Sequence, residues 1–224
     1  MKYEIKNQPF TVLTFQMSQG EMVKCQSGAM AWMTQGIQME TKTGGLGGMF
    51  KKALVGESLA LNNYTAQEAG ELTLAKQCPG DIIAFDISKK SIIAQKTAFL
   101  AATPNVNLDI YLQHRVGAGF FGGEGFLMQR LSGEGYAWLE IDGAVQEREL
   151  QAGEKLVIDS GYVAAMEDTC TMEIQTVKGF TNIVLGGEGL FNTVVTGPGK
   201  VWLQTMPVTS LAMNLYAYMP HPSN

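Results

Sequence analysis

Two histidines, His114 and His221, are all that 224 residues offer as imidazole bases or ligands. A cupin-type metal centre needs two or three imidazoles and a carboxylate converging inside a barrel. One chain cannot supply that set, and only a symmetric oligomer gathering copies of His114 about an axis could approach it. His114 precedes a Gly-rich segment and His221 sits in a Pro-flanked tail, Met219-Pro220-His221-Pro222. Neither a metal nor a cofactor is expected. Nucleophilic catalysis is no better served: there is no G-x-S-x-G elbow, and a Ser-His-Asp or Cys-His arrangement must use the same two imidazoles. Cys25, Cys78 and Cys170 are odd in number, widely spaced and without a C-x-x-C pair. That pattern suits reduced, buried thiols rather than a disulfide framework or zinc site.

Carboxylates are the remaining candidates. Glu124 and Glu188 occupy matching places in two Gly-rich clusters, and Glu57 and Glu134 form a second matched pair. Paired carboxylates can divide general acid and base duties. Beside glycines they are better read as acceptors for backbone amides, so no catalytic residue is assigned. Arg130 with Gln129, and the Lys51-Lys52 pair, could touch phosphates. Against this stand 16 basic and 21 acidic residues, a net charge of -5, because nucleic-acid binding rests on concentrated positive charge. The surface candidates are therefore Glu124, Glu188, Arg130 and His114, with nucleic acid disfavoured as partner.

The elements that must position these residues repeat. Gly122-Gly123-Glu124-Gly125-Phe126 recurs 64 residues later as Gly186-Gly187-Glu188-Gly189-Leu190, and the same shift carries Gly133, Gly135, Trp138 and Leu139 onto Gly197, Gly199, Trp202 and Leu203. A weaker copy lies ahead: Gly45-Leu46-Gly47-Gly48-Met49 and Gly56-Glu57 match Gly122 to Phe126 and Gly133-Glu134 at a shift of 77, whereas Met30 to Glu40 matches Phe99 to Asp109 at 69. The difference places extra residues near 114–121 of the second copy, where a loop absorbs them. The recurring glycines are Gly45, Gly48 and Gly56; Gly122, Gly125 and Gly133; Gly186, Gly189 and Gly197. Glycine inside strand patterns marks bends and close backbone approach.

The repeated pattern is almost wholly β. Thr34-Gln35-Gly36, Thr103-Pro104-Asn105 and Glu167-Asp168-Thr169 are turns between alternating apolar runs, and Asp142-Gly143 is a type I′ hairpin signal. Only Thr65 to Ala75 and Phe50 to Leu54 have any helical character, so little or no α-helix is expected. Met30, Met33, Met39, Met166 and Met172 read as core filler, and Trp32, Trp138 and Trp202 as core anchors. The expected architecture is one all-β domain over 1–224, of double-stranded β-helix or β-sandwich type. It contains repeats near 20–95, 96–160 and 161–218 around a pseudo-threefold axis.

These glycine segments, with Ser27-Gly28-Ala29-Met30, Gly56-Glu57-Ser58-Leu59, Pro79-Gly80-Asp81-Ile82, Gln129-Arg130-Leu131-Ser132-Gly133 and Gly197-Pro198-Gly199-Lys200-Val201-Trp202-Leu203-Gln204, resemble the AIM24 family, once grouped as a domain of unknown function. The resemblance spans about residues 20–205. It implies three repeats, each similar to the subunit of the tryptophan RNA-binding attenuation protein, in ring-like homo-oligomers with a trimer favoured. It implies no catalytic residues, since the family has none established. The fungal member is linked to mitochondrial organisation; bacterial members have no settled biochemical role. The first copy departs from the pattern, with Leu46-Gly47 where a glutamate is usual.

Composition agrees with an assembly. A chain of this length buries about 70% of its unfolded surface without staples. Its 17% charged residues fall below the roughly 25% of an average soluble domain, which suggests that part of the outside is a protein interface. The N-terminus lacks the apolar core of a signal peptide and no run reaches 18 apolar residues, so a cytoplasmic protein without a transmembrane segment is expected. The functional expectation is a non-catalytic oligomeric scaffold or binding module with an unknown protein partner. An RNA- or small-ligand-binding ring and an enzyme with a site at a subunit junction are the alternatives.

Overall fold

The computed structural model describes residues 1–42, 61–75, 78–114, 126–176, 191–216 and 218–219. These form nineteen strands and one helix: β1 (Lys2–Lys6), β2 (Val12–Met17), β3 (Met22–Gln26), β4 (Met30–Met33), β5 (Ile37–Lys42), β6 (Leu61–Ala66), β7 (Gly70–Ala75), β8 (Gly80–Asp86), β9 (Ile92–Gln95), β10 (Phe99–Ala102), β11 (Val106–His114), β12 (Phe126–Gly133), β13 (Tyr136–Asp142), β14 (Val145–Leu150), β15 (Lys155–Asp159), β16 (Val163–Glu167), β17 (Thr171–Thr176), β18 (Phe191–Thr196), β19 (Gly199–Gln204) and α1 (Val208–Tyr216). The all-β expectation therefore holds.

Four sheets order these strands as β1-β2-β7-β4, β5-β6-β3-β10-β13-β8, β11-β12-β9-β16-β19-β14 and β15-β18-β17. Sequence pattern explains the placement. In β2, Leu13, Phe15 and Met17 alternate inward, the period-two signature of a strand with one wet face. β9 and β10 are buried at every residue, and both lie inside six-stranded sheets where each face is covered.

The three turns form as expected. Ile37 donates its N–H to the Thr34 carbonyl at 3.1 Å, Val106 to Thr103 at 3.2 Å and Cys170 to Glu167 at 3.1 Å. Each turn carries the chain from one sheet to the next, since the strands it joins belong to different sheets. Three apolar clusters fill the spaces between sheets. Trp138 meets Phe15 edge-on at 4.8 Å and Trp202 meets Phe85 likewise at 4.8 Å, coupling the first sheet to the second and the second to the third.

Several expectations are corrected. Asp142-Gly143 does not close a hairpin: β13 pairs with β8 and β10, and β14 with β19. There the Asp142 backbone carbonyl accepts from Met206 N–H while Gly143 N–H donates to Pro79, so the turn hands the chain to a new sheet. Thr65 to Ala75 is strand on both sides of a short break, because β6 and β7 are each claimed by neighbouring strands. The helix lies at α1, after Pro207, in a run without glycine or proline. Trp32, Met33 and Met39 are exposed, whereas Trp138, Trp202, Met166 and Met172 are buried.

Gly133 closes β12 opposite Val106, and the place opposite Ile37 in the β5–β6 ladder belongs to Ala66. Gly56, which the glycine spacing matches to Gly133, lies outside the described residues.

Candidate functional site

The described surface candidates lie on the β11–β12 ladder. Arg130 on β12 stands opposite Asp109 of β11 and Ile93 of β9. It projects outward while its neighbours Gln129 and Leu131 are buried. The ladder register slips between Ile110 and Leu112, and a slip of this kind re-aims the residue it releases. That residue is Tyr111, and the Arg130 guanidinium lies over its ring at 5.5 Å. A cation over an aromatic face at an exposed site contributes about 0.5–1 kcal/mol. With Asp109 and Ile110 exposed alongside, the result is a small amphipathic patch with a positioned cation.

His114 ends β11 opposite Phe126, five residues along from Asp109 and thus roughly 15 Å from the Arg130 position. The fold does not bring His114 and Arg130 together. Glu124, Glu188, Gly45, Gly48, Gly56, Gly122, Gly125, Gly186, Gly189 and the Lys51-Lys52 pair lie outside the described residues. Gly133 and Gly197 are both sterically required. Gly133 has φ +109 and a Cβ there would sit 2.3 Å from the Asn105 carbonyl oxygen; a Cβ on Gly197 would sit 2.5 Å from that of Gln151.

Polar groups elsewhere serve the ladders. Glu147 accepts from Lys200 Nζ at 2.6 Å and Trp202 Nε1 at 3.0 Å. The Lys200 hydrogen bond, opposed by partial burial, holds its carboxyl below the usual range. Glu167 accepts from Lys90 Nζ at 2.8 Å and from the Lys200 backbone at 3.2 Å. Ser160 and Thr193 share a buried hydrogen bond at 2.9 Å. Burial pushes the Cys25 thiol up, and burial with the nearby Glu167 does the same to Cys170, leaving both as poor nucleophiles. Among the described residues no three His, Cys, Asp or Glu side chains gather as a metal group.

One polar feature escaped sequence reasoning. Gln204 donates through Nε2 to the Gly161 carbonyl at 2.8 Å and to Gln95 Oε1 at 3.4 Å, and accepts from the Asp142 N–H at 3.1 Å. Its only signal was a glutamine ending an apolar run. Among the described residues no helix is long and apolar enough to cross a membrane.

Fold and site together define an antiparallel multi-sheet β protein with an exposed arginine–tyrosine patch. Residues 3–206 match the family model described as mitochondrial biogenesis AIM24, and the chain belongs to that family. It is 27% identical over 234 residues to an uncharacterized protein of Streptococcus pyogenes serotype M6, covering 100% of this chain and 93% of that one. It is also similar to the X-ray crystal structure of a Streptococcus pyogenes protein, with a TM-score of 0.82 and 26% identity over 97% of this chain and 99% of the other.

Proposed function

We propose that this protein is a non-catalytic, oligomeric scaffold built from three tandem β units, each similar to the attenuation-protein subunit, that presents a ring surface to a protein partner. The observation that carries the proposal is a recurrence of strand pairing. β2-β7-β4, β8-β13-β10 and β14-β19-β16 are three ladders of one order, and β5-β6-β3, β11-β12-β9 and β17-β18-β15 are three of another. On this basis the units run over residues 12–75, 80–142 and 145–204 rather than 20–95, 96–160 and 161–218. The first strand of each unit lies further upstream than the glycines suggested. Gly70, Gly135 and Gly199 each lie close to the facing turn: a Cβ would fall 2.2 and 2.0 Å from the hydroxyl of the first turn residue, Thr34 and Thr103, and 2.5 Å from that of the third, Thr169.

Titratable and nucleophilic groups support the non-catalytic part, because Glu147, Glu167 and Ser160 are already engaged in hydrogen bonds between elements and burial holds the Cys25 and Cys170 thiols protonated. The Arg130–Tyr111 patch is the surface offered to a partner, which suits a peptide with a carboxylate beside an apolar side chain. The assembly favoured is a trimer, a ring of nine units.

Native mass spectrometry of protein purified from its own cell tests the proposal. A mass three times the 24.3 kDa chain, with no bound nucleic acid and an accompanying protein lost on Arg130→Ala substitution, is the expected result. A monodisperse monomer overturns the assembly. Co-purified RNA, seen as high absorbance at 260 nm, favours the nucleic-acid ring, and turnover in a broad activity screen favours an enzyme at a subunit junction.

A further inference from the structure

Two strand edges stand at the ends of the three units, and what they would join can be read from the junctions inside the chain. Between the first and second units β10 pairs antiparallel with β3, setting Ala101 opposite Cys25 and Ala102 opposite Lys24. Between the second and third, β16 pairs antiparallel with β9, setting Ala165 opposite Ala94 and Met166 opposite Ile93. The outer strands β4 and β15 hold the corresponding places. Trp32 faces Thr73 and Met33 faces Leu72, as Ala101 faces Trp138 and Ala102 faces Ala137. Ile158 faces Thr193 and Val157 faces Val194, as Ala94 faces Gln129 and Ile93 faces Arg130. Among the described residues, β4 has only β7 as ladder partner and β15 only β18.

Exposure follows the same division. Ala101, Ala102, Ala165 and Met166 are each 0% exposed, whereas their counterparts Trp32 and Met33 are 52% and 36% exposed. Ile93 is 0% exposed and its counterpart Val157 is 62% exposed. An edge carrying apolar side chains is a template for another strand, and tryptophan is among the side chains enriched at interface hot spots. β4 thus offers the kind of edge that β10 and β16 bury, and β15 the kind that β3 and β9 bury.

The geometry points to a second copy of this chain as the occupant: β4 of one copy pairs antiparallel with β15 of the next, Trp32 opposite Ile158 and Met33 opposite Val157. This deepens the oligomeric proposal and rests on it. Charge supports the same partner. Inside the chain, Trp138 and Trp202 pack on Phe15 and Phe85 of the preceding unit. At the outer junction the matching places belong to Thr73 and Arg148. Arg148 is exposed, and Glu71, whose carboxylate lies 3.5 Å from the Thr73 hydroxyl and 3.3 Å from Trp32 Nε1, stands ready to receive it. The contact is heterologous, so it closes a ring when the rotation per copy permits.

Trp32→Lys, Val157→Lys and the double variant Met33→Cys with Val157→Cys test the junction. All three positions are exposed in the single chain, so far-ultraviolet circular dichroism should stay unchanged. Light scattering is expected to show multimeric wild type and a shift of each lysine variant to single-chain mass, with association weakened at least tenfold. Oxidised double variant should run as covalent multimers on a non-reducing gel, while neither single cysteine variant does. Multimeric lysine variants beside a multimeric wild type overturn this junction and leave the oligomeric proposal standing. A disulfide forming within one chain also overturns it, because β4 and β15 then meet around the pseudo-threefold axis of a single copy. A wild type that is monomeric at tens of micromolar overturns both.

Discussion

At the residue scale, the side chains that determine stability are those with no room for change. Gly133 combines φ +109 with a carbonyl oxygen in the space a Cβ would take, while Gly153 has φ +78 and nothing within 4 Å. Gly133→Ala is expected to destabilise by about 1–3 kcal/mol, and by more than Gly153→Ala, with urea midpoints as the measurement. Equal shifts would mean that backbone conformation alone matters and the close approach does not. Glu147 provides a pH-dependent counterpart. Its folded carboxyl titrates below the ordinary 4.5 because Lys200 and Trp202 donate to the charged form. A depressed folded value stabilises above the unfolded value and loses that contribution as the pH falls through the folded one. Glu147→Gln should therefore lower stability near pH 7 and reduce its further fall on acidification below 4.5. For so exposed a pair the effect is a few tenths to about 1 kcal/mol. Denaturant midpoints at neutral and acid pH check it. Of the candidate site, Arg130 was legible as a cation beside Gln129 that could meet an anion. Tyr111 beneath it was not, because a slip in strand register leaves no mark on the alternating pattern.

Among the elements, apolar alternation and turn residues predicted most strands, but not their partners. Thr34-Gln35-Gly36 and its two counterparts were recognisable from their residues, and all three turns are present. Asp142-Gly143 carried the same local chemistry and misled, since whether a turn closes a hairpin depends on which distant strand claims each flank. The α1 segment was missed although Val208, Leu211, Ala212 and Leu215 follow helical spacing, because it lies beyond the repeated strand pattern and buries no residue. Packing between sheets concentrates on few side chains. Trp138 is 1% exposed and touches Phe15 across two sheets. Trp138→Ala is expected to remove about 3–5 kcal/mol and to lower the thermal midpoint by roughly 10 °C for a chain of this size. Differential scanning calorimetry would show whether the loss is global, as a shared core requires, or confined to a separate low-temperature transition.

For the whole molecule, the proposed joining of copies through sheet edges would make stability and association parts of one quantity. If copies join through β4 and β15, the thermal midpoint of wild type rises with protein concentration, by up to about 1.4 kcal/mol per tenfold, or a few degrees. Trp32→Lys should abolish that dependence, and a wild-type midpoint independent of concentration would argue against linked folding and assembly. The glycine spacing suggested three tandem units, which belong to the proposed function. On the ladders themselves Ala66 faces Ile37 where Gly133 faces Val106, a pairing that glycine spacing could not reveal. The far ends of these ladders carry a practical consequence. Lys42 lies opposite Leu61, His114 opposite Phe126 and Thr176 opposite Phe191, so each of these three pairs of strand ends faces directly across a ladder, about 5 Å apart. A foreign peptide whose own termini are adjacent, joined between the facing ends of any of these pairs, is expected to leave the strand register undisturbed, with far-ultraviolet circular dichroism as the check.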